Sequence, residues 1–265
     1  MTLDTAAIAE ALGSPITETH PLAGGDISGA SRLVLDDGRQ VVAKAGSLVD
    51  VEARMLEAIA QTGAPCPAVL AQNDDWFAME WIAPDLRGDR WAALADTLER
   101  LHRPTEEHYG WDEDYAFGPV PIVNSRTNDW AQFWADNRLL CHVPHVDPAL
   151  GKRLEHLAVR APDILPPDPP PALLHGDLWG GNVIWSADKA WLIDPASYHG
   201  HREIDWAMLT LFDHPPESFF ARLEPETGWR ERQPLYRLWP YLVHLRLFGD
   251  GYRAAVEREL STIGF

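Results

Sequence analysis

Leu173-Leu174-His175-Gly176-Asp177-Leu178-Trp179-Gly180-Gly181-Asn182 decides the fold, and Leu192-Ile193-Asp194-Pro195 completes it after a short apolar hairpin. An Asp, an Asn five residues on and a second Asp twelve residues beyond that form a set suited to phosphoryl transfer. That chemistry asks little covalent work of a protein. It needs an aligned nucleophile, neutralised phosphate charge and excluded water. Asp177 is the candidate base, able to orient a hydroxyl and accept its proton late in transfer. Asn182 offers a neutral carbonyl oxygen and Asp194 a hard anionic one, a pair suited to Mg²⁺ on a nucleotide's phosphates. Gly180 and Gly181 let the backbone pass close to phosphates or to the catalytic Asp. An ordinary His-Gly-Asp turn is the bland alternative, and it leaves the combined spacing unexplained.

Around this stretch the pattern is mostly helical. Leu165-Pro166-Pro167-Asp168-Pro169-Pro170-Pro171 cannot be helix and delivers the chain stiffly to a short strand at Ala172–Leu174. Val183–Trp185 and Ala190–Ile193 are expected to pair across a turn at Ala187-Asp188-Lys189. Helical spacing marks residues 89–102, with Trp91, Leu94, Leu98 and Leu101, and residues 128–141, with Trp130, Phe133, Trp134 and Leu140. We expect these aromatics to be core. Leu235, Leu238, Leu242, Leu245 and Phe248 form the stripe of a late helix.

The first third is different. Residues 4–12 form a short helix stopped by Gly13. Arg32–Leu35 and Gln40–Lys44 flank Asp36-Asp37-Gly38-Arg39, a hairpin signal. In that strand Val42 and Lys44 share one face, Val41 and Ala43 the other. Leu48, Val51, Met55 and Ile59 mark a helix ending near Gly63 and Pro65, and Phe77–Ile82 reads as a strand broken by Ala83-Pro84. These signals predict a small strand-rich lobe over residues 1–82 and a larger, mostly helical lobe over 83–265.

Lys44 ends a strand, and Glu52 opens a helix eight residues later. A strand Lys held by a helix Glu is a device for gripping nucleotide phosphates. Glu57 is the competing partner, facing another way. The loop Gly24-Gly25-Asp26-Ile27-Ser28-Gly29 is placed to lay backbone N–H groups over phosphates, although it is not GxGxxG. In a two-lobed arrangement Glu80-Trp81-Ile82 is the adenine hinge, where backbone groups of Glu80 and Ile82 would do the reading.

Composition narrows the classes. The 265 residues are 46% hydrophobic with twelve Trp, enough for a substantial core. A formal net charge of −18 works against nucleic-acid binding. It serves either as a solubilising surface or as an acidic rim favouring an amine-bearing substrate. Cys66 and Cys141 lie far apart without metal spacing, and Met1-Thr2-Leu3-Asp4 has no basic region or apolar run. With no apolar stretch approaching about 18 residues, we expect a cytoplasmic protein without a membrane partner.

These residues resemble the fructosamine-3-kinase (ketosamine-3-kinase) family, relatives of aminoglycoside phosphotransferases within the protein-kinase-like fold. His175–Asn182 is similar to the family's HGDLWxGN. Ile193-Asp194-Pro195-Ala196 with Tyr198, Gly200, Glu203, Asp205, Ala207 and Met208 resembles its next motif. Tyr109-Gly110-Trp111, Asp129-Trp130, Phe133 and Arg138 resemble its central segment, and Leu235-Tyr236-Arg237-Leu238, His244, Phe248-Gly249 and Gly251-Tyr252 its last helices. The resemblance implies an α+β, two-lobed kinase fold and ATP- and Mg²⁺-dependent phosphorylation of the sugar 3-hydroxyl of ketosamines, fructosamines or ribulosamines. The 3-phosphate then promotes loss of the sugar, a deglycation. It implies Asp177 as base, Asn182 and Asp194 as metal ligands, and Lys44 with Glu52 as the phosphate clamp. Trp179 becomes a sugar-side wall or a core residue, and His244 a substrate-facing or packed histidine. His175 and Asp205 become supports of the catalytic loop. Four departures stand out. Asp26 occupies a position where the family commonly has Cys, Ile122 one where it has Gln, and Val243 one where it has Asn. The Lys44–Glu52 spacing is also short. A kinase of the same fold acting on an aminoglycoside or another small hydroxyl substrate, and a non-catalytic nucleotide-binding module, remain as alternatives. The sequence leaves the oligomeric state open.

Overall fold

The computed structural model describes residues 3–22 and 29–265. The expected phosphate loop at Gly24 and Gly25 lies outside the described residues. In chain order the elements begin with helix α1 (Thr5–Leu12), strands β1 (Ile16–Pro21), β2 (Ala30–Leu35) and β3 (Gln40–Ala45), helix α2 (Val49–Thr62), and strands β4 (Val69–Gln72), β5 (Trp76–Glu80) and β6 (Asp85–Leu86). Helix α3 (Arg90–Leu101), a small hairpin of β7 (Tyr115–Phe117) and β8 (Val120–Ile122), and helices α4 (Trp130–Trp134) and α5 (Pro148–Ile164) follow. Then come β9 (Ala172–Leu173), β10 (Val183–Ala187), β11 (Lys189–Leu192) and β12 (His199–Gly200). Helices α6 (Glu203–Phe212), α7 (Glu217–Arg222), α8 (Trp229–Phe248) and α9 (Arg253–Thr262) close the chain. Among the described residues no helix is long and apolar enough to cross a membrane.

The chain divides into two compact units: Met1–Leu101 with Gly181–Ala196, and His102–Gly180 with Ser197–Phe265. The sequence suggested a single break after Ile82, whereas packing makes the division discontinuous. The cause is the β10–β11 hairpin. It pairs in parallel with β6 and packs on α3, where Thr97 Oγ1 donates to the Ala190 carbonyl at 3.0 Å. Both α3 and the hairpin therefore join the N-terminal unit.

The first unit is built on an antiparallel five-stranded sheet of order β1-β2-β3-β5-β4. Asp4 caps α1 by accepting from Ala7 N–H at 3.0 Å, and Gly13 ends it at φ 68°, a left-handed turn natural to glycine. The buried residue of α1, Ile8, enters a cluster with Leu33, Leu35, Val41, Ala43, Trp76 and Ala78, and Ala7 and Leu12 of the same helix pack against it. Fully burying each large side chain in it contributes about 1.5–3 kcal/mol. Val41 and Ala43 thus share the face expected from strand alternation. Lys44 takes the other, which is also buried. Helix α2 packs on β4 and β5 with Val51, Met55, Leu56 and Ile59 inward, and Gly63 stops it.

The second unit is mostly helical. Trp130, Phe133 and Trp134 are all core, as expected, and Trp130 Nε1 donates to Tyr236 Oη at 3.2 Å. The helix read over 128–141 is α for one stretch only. It widens into a π-turn at Ala135–Leu139 and tightens to 3₁₀ at Leu140–His145. The widened turn sends Arg138 fully inward. Its guanidinium lies 4.2 Å from the Tyr198 ring centroid and donates to Asn124 Oδ1 at 2.8 Å and the Val123 carbonyl at 2.6 Å. In α8, Pro234 and Pro240 interrupt the backbone ladder. Burial of both prolines, with Leu235, Leu238, Trp239 and Leu242, offsets that loss. The stripe does not run to its predicted end: Phe248 is 53% exposed, because the last turn of α8 leaves the core.

Candidate active site

The singled-out residues fall into two groups, one in each unit. In the first unit β3 is flanked by β2 and β5, pairing Lys44 with Ala30 and Phe77. Lys44 Nζ lies 2.6 Å from Glu52 Oε1 and 2.7 Å from Asp194 Oδ1. Lys44 and Glu52 are both buried, while the Asp194 side chain keeps 30% of its exposure. Burial alone would lower the Lys44 pKa. The two carboxylates outweigh it, so the ammonium is held above its ordinary value and stays charged. Burial pushes the Glu52 carboxyl up, and Lys44 opposes that shift. Glu57 is exposed on the other side of α2, so Glu52 is the partner despite its short spacing.

The β10–β11 hairpin brings the two candidate oxygen ligands to one end. Val183 pairs with Leu192, and Ile193 N–H donates to the Asn182 carbonyl at 3.1 Å. Asn182 and Asp194 therefore flank the same open end. Asp194 has φ 55°, a left-handed conformation costly for a non-glycine residue and kept where surrounding structure over-determines it. The donor set is one amide oxygen and one carboxylate, and among the described residues no cluster of three or more His, Cys, Asp or Glu forms a metal cage. Hard oxygens in this number fit Mg²⁺, which shares its coordination with phosphates and water. Glu80 is exposed with its N–H bonded to the Ala68 carbonyl at 2.9 Å, and Ile82 is buried.

In the second unit β9 pairs with β12, and Leu174 N–H extends the contact to the Tyr198 carbonyl at 3.0 Å. The loop that follows is held from α6. Asp205, fully buried in the first turn of α6, accepts from His175 N–H at 2.8 Å through Oδ2 and from Gly176 N–H at 2.9 Å through Oδ1. His102 Nε2 lies 2.8 Å from the same Oδ2. Burial would raise the Asp205 pKa. The hydrogen bond and charge of His102, with the loop N–H groups, hold it below its ordinary value instead. Gly176 sits at φ 81°, the turn that lets both N–H groups point at one carboxylate. His175 is buried, and its Nδ1 accepts from Asp177 N–H at 3.3 Å. Asp177 itself is half-buried.

Trp179 is 39% exposed, so it is not a core residue. Its ring meets Phe212 edge-on at 5.7 Å. His244 is half-buried among Phe212, Phe248 and Tyr252, and Nδ1 donates to the Pro240 carbonyl at 2.6 Å. Burial lowers its pKa, which keeps the ring neutral. Sequence reasoning missed Asp213, whose Oδ2 accepts from Gly180 N–H at 2.7 Å. The contact spans 33 residues, and no local pattern announces it.

The fold is that of the protein-kinase-like phosphotransferases. The structure aligns with a macrolide 2′-phosphotransferase of Brachybacterium faecium over 98% of each chain at a TM-score of 0.62; with 15% identity this is a likeness of fold alone. The chain belongs to the fructosamine kinase family, whose model matches residues 1–263. A Synechocystis sp. protein named probable ketoamine kinase is 32% identical, covering 96% of this chain and 93% of its own. A solved structure from Thermobifida fusca, assigned to the fructosamine-3-kinases, is 29% identical with a TM-score of 0.88 over 98% of each chain.

Proposed function

We propose that this protein transfers the terminal phosphoryl group of ATP to the sugar 3-hydroxyl of a ketosamine, a fructosamine or ribulosamine, and so initiates deglycation. The observation that carries the reading, beside family membership, is the buried Lys44 held by Glu52 and Asp194. A charged, pre-positioned ammonium on a strand is what nucleotide phosphates require. Lys44 binds phosphate oxygens, and Glu52 keeps it aligned. Asn182 and Asp194 would hold Mg²⁺, which when bound neutralises charge on the phosphates. Asp177 orients the acceptor hydroxyl and takes its proton. Asp205, through His175 and Gly176, fixes the loop that carries Asp177. Trp179 gives the sugar an exposed aromatic wall. Functionally we place the nucleotide lobe at residues 1–82, with Gly24, Gly25, Glu80 and Ile82 at the nucleotide, and the acceptor lobe at 83–265. The enzyme works in the cytoplasm on small-molecule or protein-bound acceptors.

ADP release with fructoselysine and ribuloselysine, compared between the wild type and Asp177→Asn, tests this reading. We expect turnover on at least one ketosamine and its loss in the variant. Turnover on an aminoglycoside but on neither ketosamine would sink it in favour of another hydroxyl substrate. Tight ATP binding without turnover on any acceptor would identify a nucleotide-binding module.

A further inference from the structure

Asp213 is a carboxylate in an unfavourable place. It caps the C-terminal end of α6, where the helix presents partial negative charge, and α6 has no basic residue in its last turn. Its carboxylate accepts one hydrogen bond, from Gly180 N–H, and among the described residues it has no ion-pair partner. A carboxylate has roughly four acceptor positions, and Gly180 N–H takes one of them. It is also pressed close to the loop: a Cβ at position 180 would stand 2.7 Å from Asp213 Oδ1, so any side chain there would push the carboxylate aside. Its sequence neighbour Phe212 is 44% exposed and meets Trp179, itself 39% exposed, edge-to-face. A half-buried carboxylate that follows one exposed ring in the chain, Phe212, and bonds the residue after another, Trp179, suits an organic ammonium. The carboxylate supplies charge, the ring faces supply cation–π attraction, and the helix end adds to both.

From Phe212 the rings continue. His244 lies 5.7 Å from Phe212, Tyr252 4.9 Å from His244, and Phe248 5.6 Å from His244. Phe248 is 53% exposed. Such a run of half-open rings accepts hydrocarbon better than sugar hydroxyls.

We propose that Asp213, Phe212 and Trp179 form the subsite for the acceptor's ammonium nitrogen, and that His244, Phe248 and Tyr252 carry the hydrocarbon chain attached to it. This deepens the ketosamine reading and rests on it, since a ketosamine is a sugar joined to such a nitrogen. The formal net charge of −18 favours the same partner at longer range.

Calorimetric binding of N-propyl fructosamine and of its ether analogue, with oxygen replacing nitrogen, tests the assignment. The wild type should prefer the amine by about tenfold, the scale of one partly exposed ion pair plus cation–π contact. Asp213→Asn keeps an acceptor for Gly180 N–H and should erase most of that preference. Phe212→Leu should reduce it by a smaller factor. Equal affinity of the wild type for both ligands overturns the proposal. So does an Asp213→Asn variant that loses amine and ether affinity equally, because Asp213 would then only hold the loop. Binding needs no phosphoryl transfer. A protein that prefers the amine yet releases no ADP would contradict the kinase reading and leave the ammonium subsite standing.

Discussion

The two groups of site residues are built on opposite physical plans. In the first unit three charges from β3, α2 and the segment after β11 are packed together, and Lys44 and Glu52 are almost fully desolvated. In the second unit the Asp177 loop is held by backbone hydrogen bonds to Asp205, while the rings beside it stay open. The first plan suits a ligand that never changes, a nucleotide triphosphate, for which fixed charge can be paid in advance. The second suits an acceptor with a variable end, where a rigid loop must sit beside an adaptable surface. The contrast has a consequence for mutation: damage to the first group should reach folding, and damage to the second should reach turnover alone.

The largest effect expected is on the acceptor side. Asp177→Asn should lower kcat by about 10²–10⁴-fold, the range for loss of a positioned base, with thermal unfolding little changed. Steady-state kinetics beside a melting curve reads both. A large loss of stability in that variant would break the contrast. Next is Lys44→Met, which leaves Glu52 and Asp194 facing each other without a cation. Breaking a buried pair in this way costs about 3–5 kcal/mol, so denaturant midpoints should fall sharply as ATP binding is lost. Unchanged stability would mean the ion cluster is less desolvated than its geometry says.

A smaller effect concerns pH. His142 is fully buried against Trp239, and burial, followed by Arg246 and Arg138, pushes its pKa down to about 3. Above about pH 6.5 neither folded nor unfolded chain protonates it. As pH falls from there towards 3, only the unfolded chain takes up the proton. Stability should therefore decline by up to about 1.4 kcal/mol per pH unit from this group. His142→Phe should flatten the slope by about one proton between pH 6 and 4, measured by urea unfolding, and an unchanged slope would show that His142 is protonated in the fold. The smallest effect belongs to the open surface. Trp179→Leu should raise the acceptor KM severalfold, on the scale of about 1 kcal/mol for an exposed aromatic contact, and leave the ATP KM alone.

How much of this was legible in the sequence follows from what each element depends on. The β2–β3 hairpin, α2 and the Lys44–Glu52 pair were visible because their signals are local: a turn, a helical stripe and a spacing of eight residues. Asn182 and Asp194 were visible because a hairpin connects them. Strand β1 escaped notice because five of its six residues are exposed, so Ile16–Pro21 shows no apolar alternation. Strand β4 is four residues long with a register shift against β5. The π-turn after α4 is a packing outcome that places Arg138 among three rings, and helical spacing does not distinguish it from continued α-helix. Asp213 acts through a contact that crosses 33 residues to a backbone group, which carries no side-chain signature at either end, whereas Asp205, whose contact crosses 30 residues, was legible only through the family motif. The sequence thus showed the holding groups that a motif marks, Glu52, His175 and Asp205, and hid Asp213, which no motif marks.

The most direct test of the central claim is the position of the phosphate in the product. Incubated with ATP, Mg²⁺ and fructoselysine or ribuloselysine, the protein should release ADP in step with a product whose phosphate NMR signal couples to the proton on sugar carbon 3. Product phosphorylated at another hydroxyl, or no phosphorylated ketosamine while an aminoglycoside is consumed, would contradict the account.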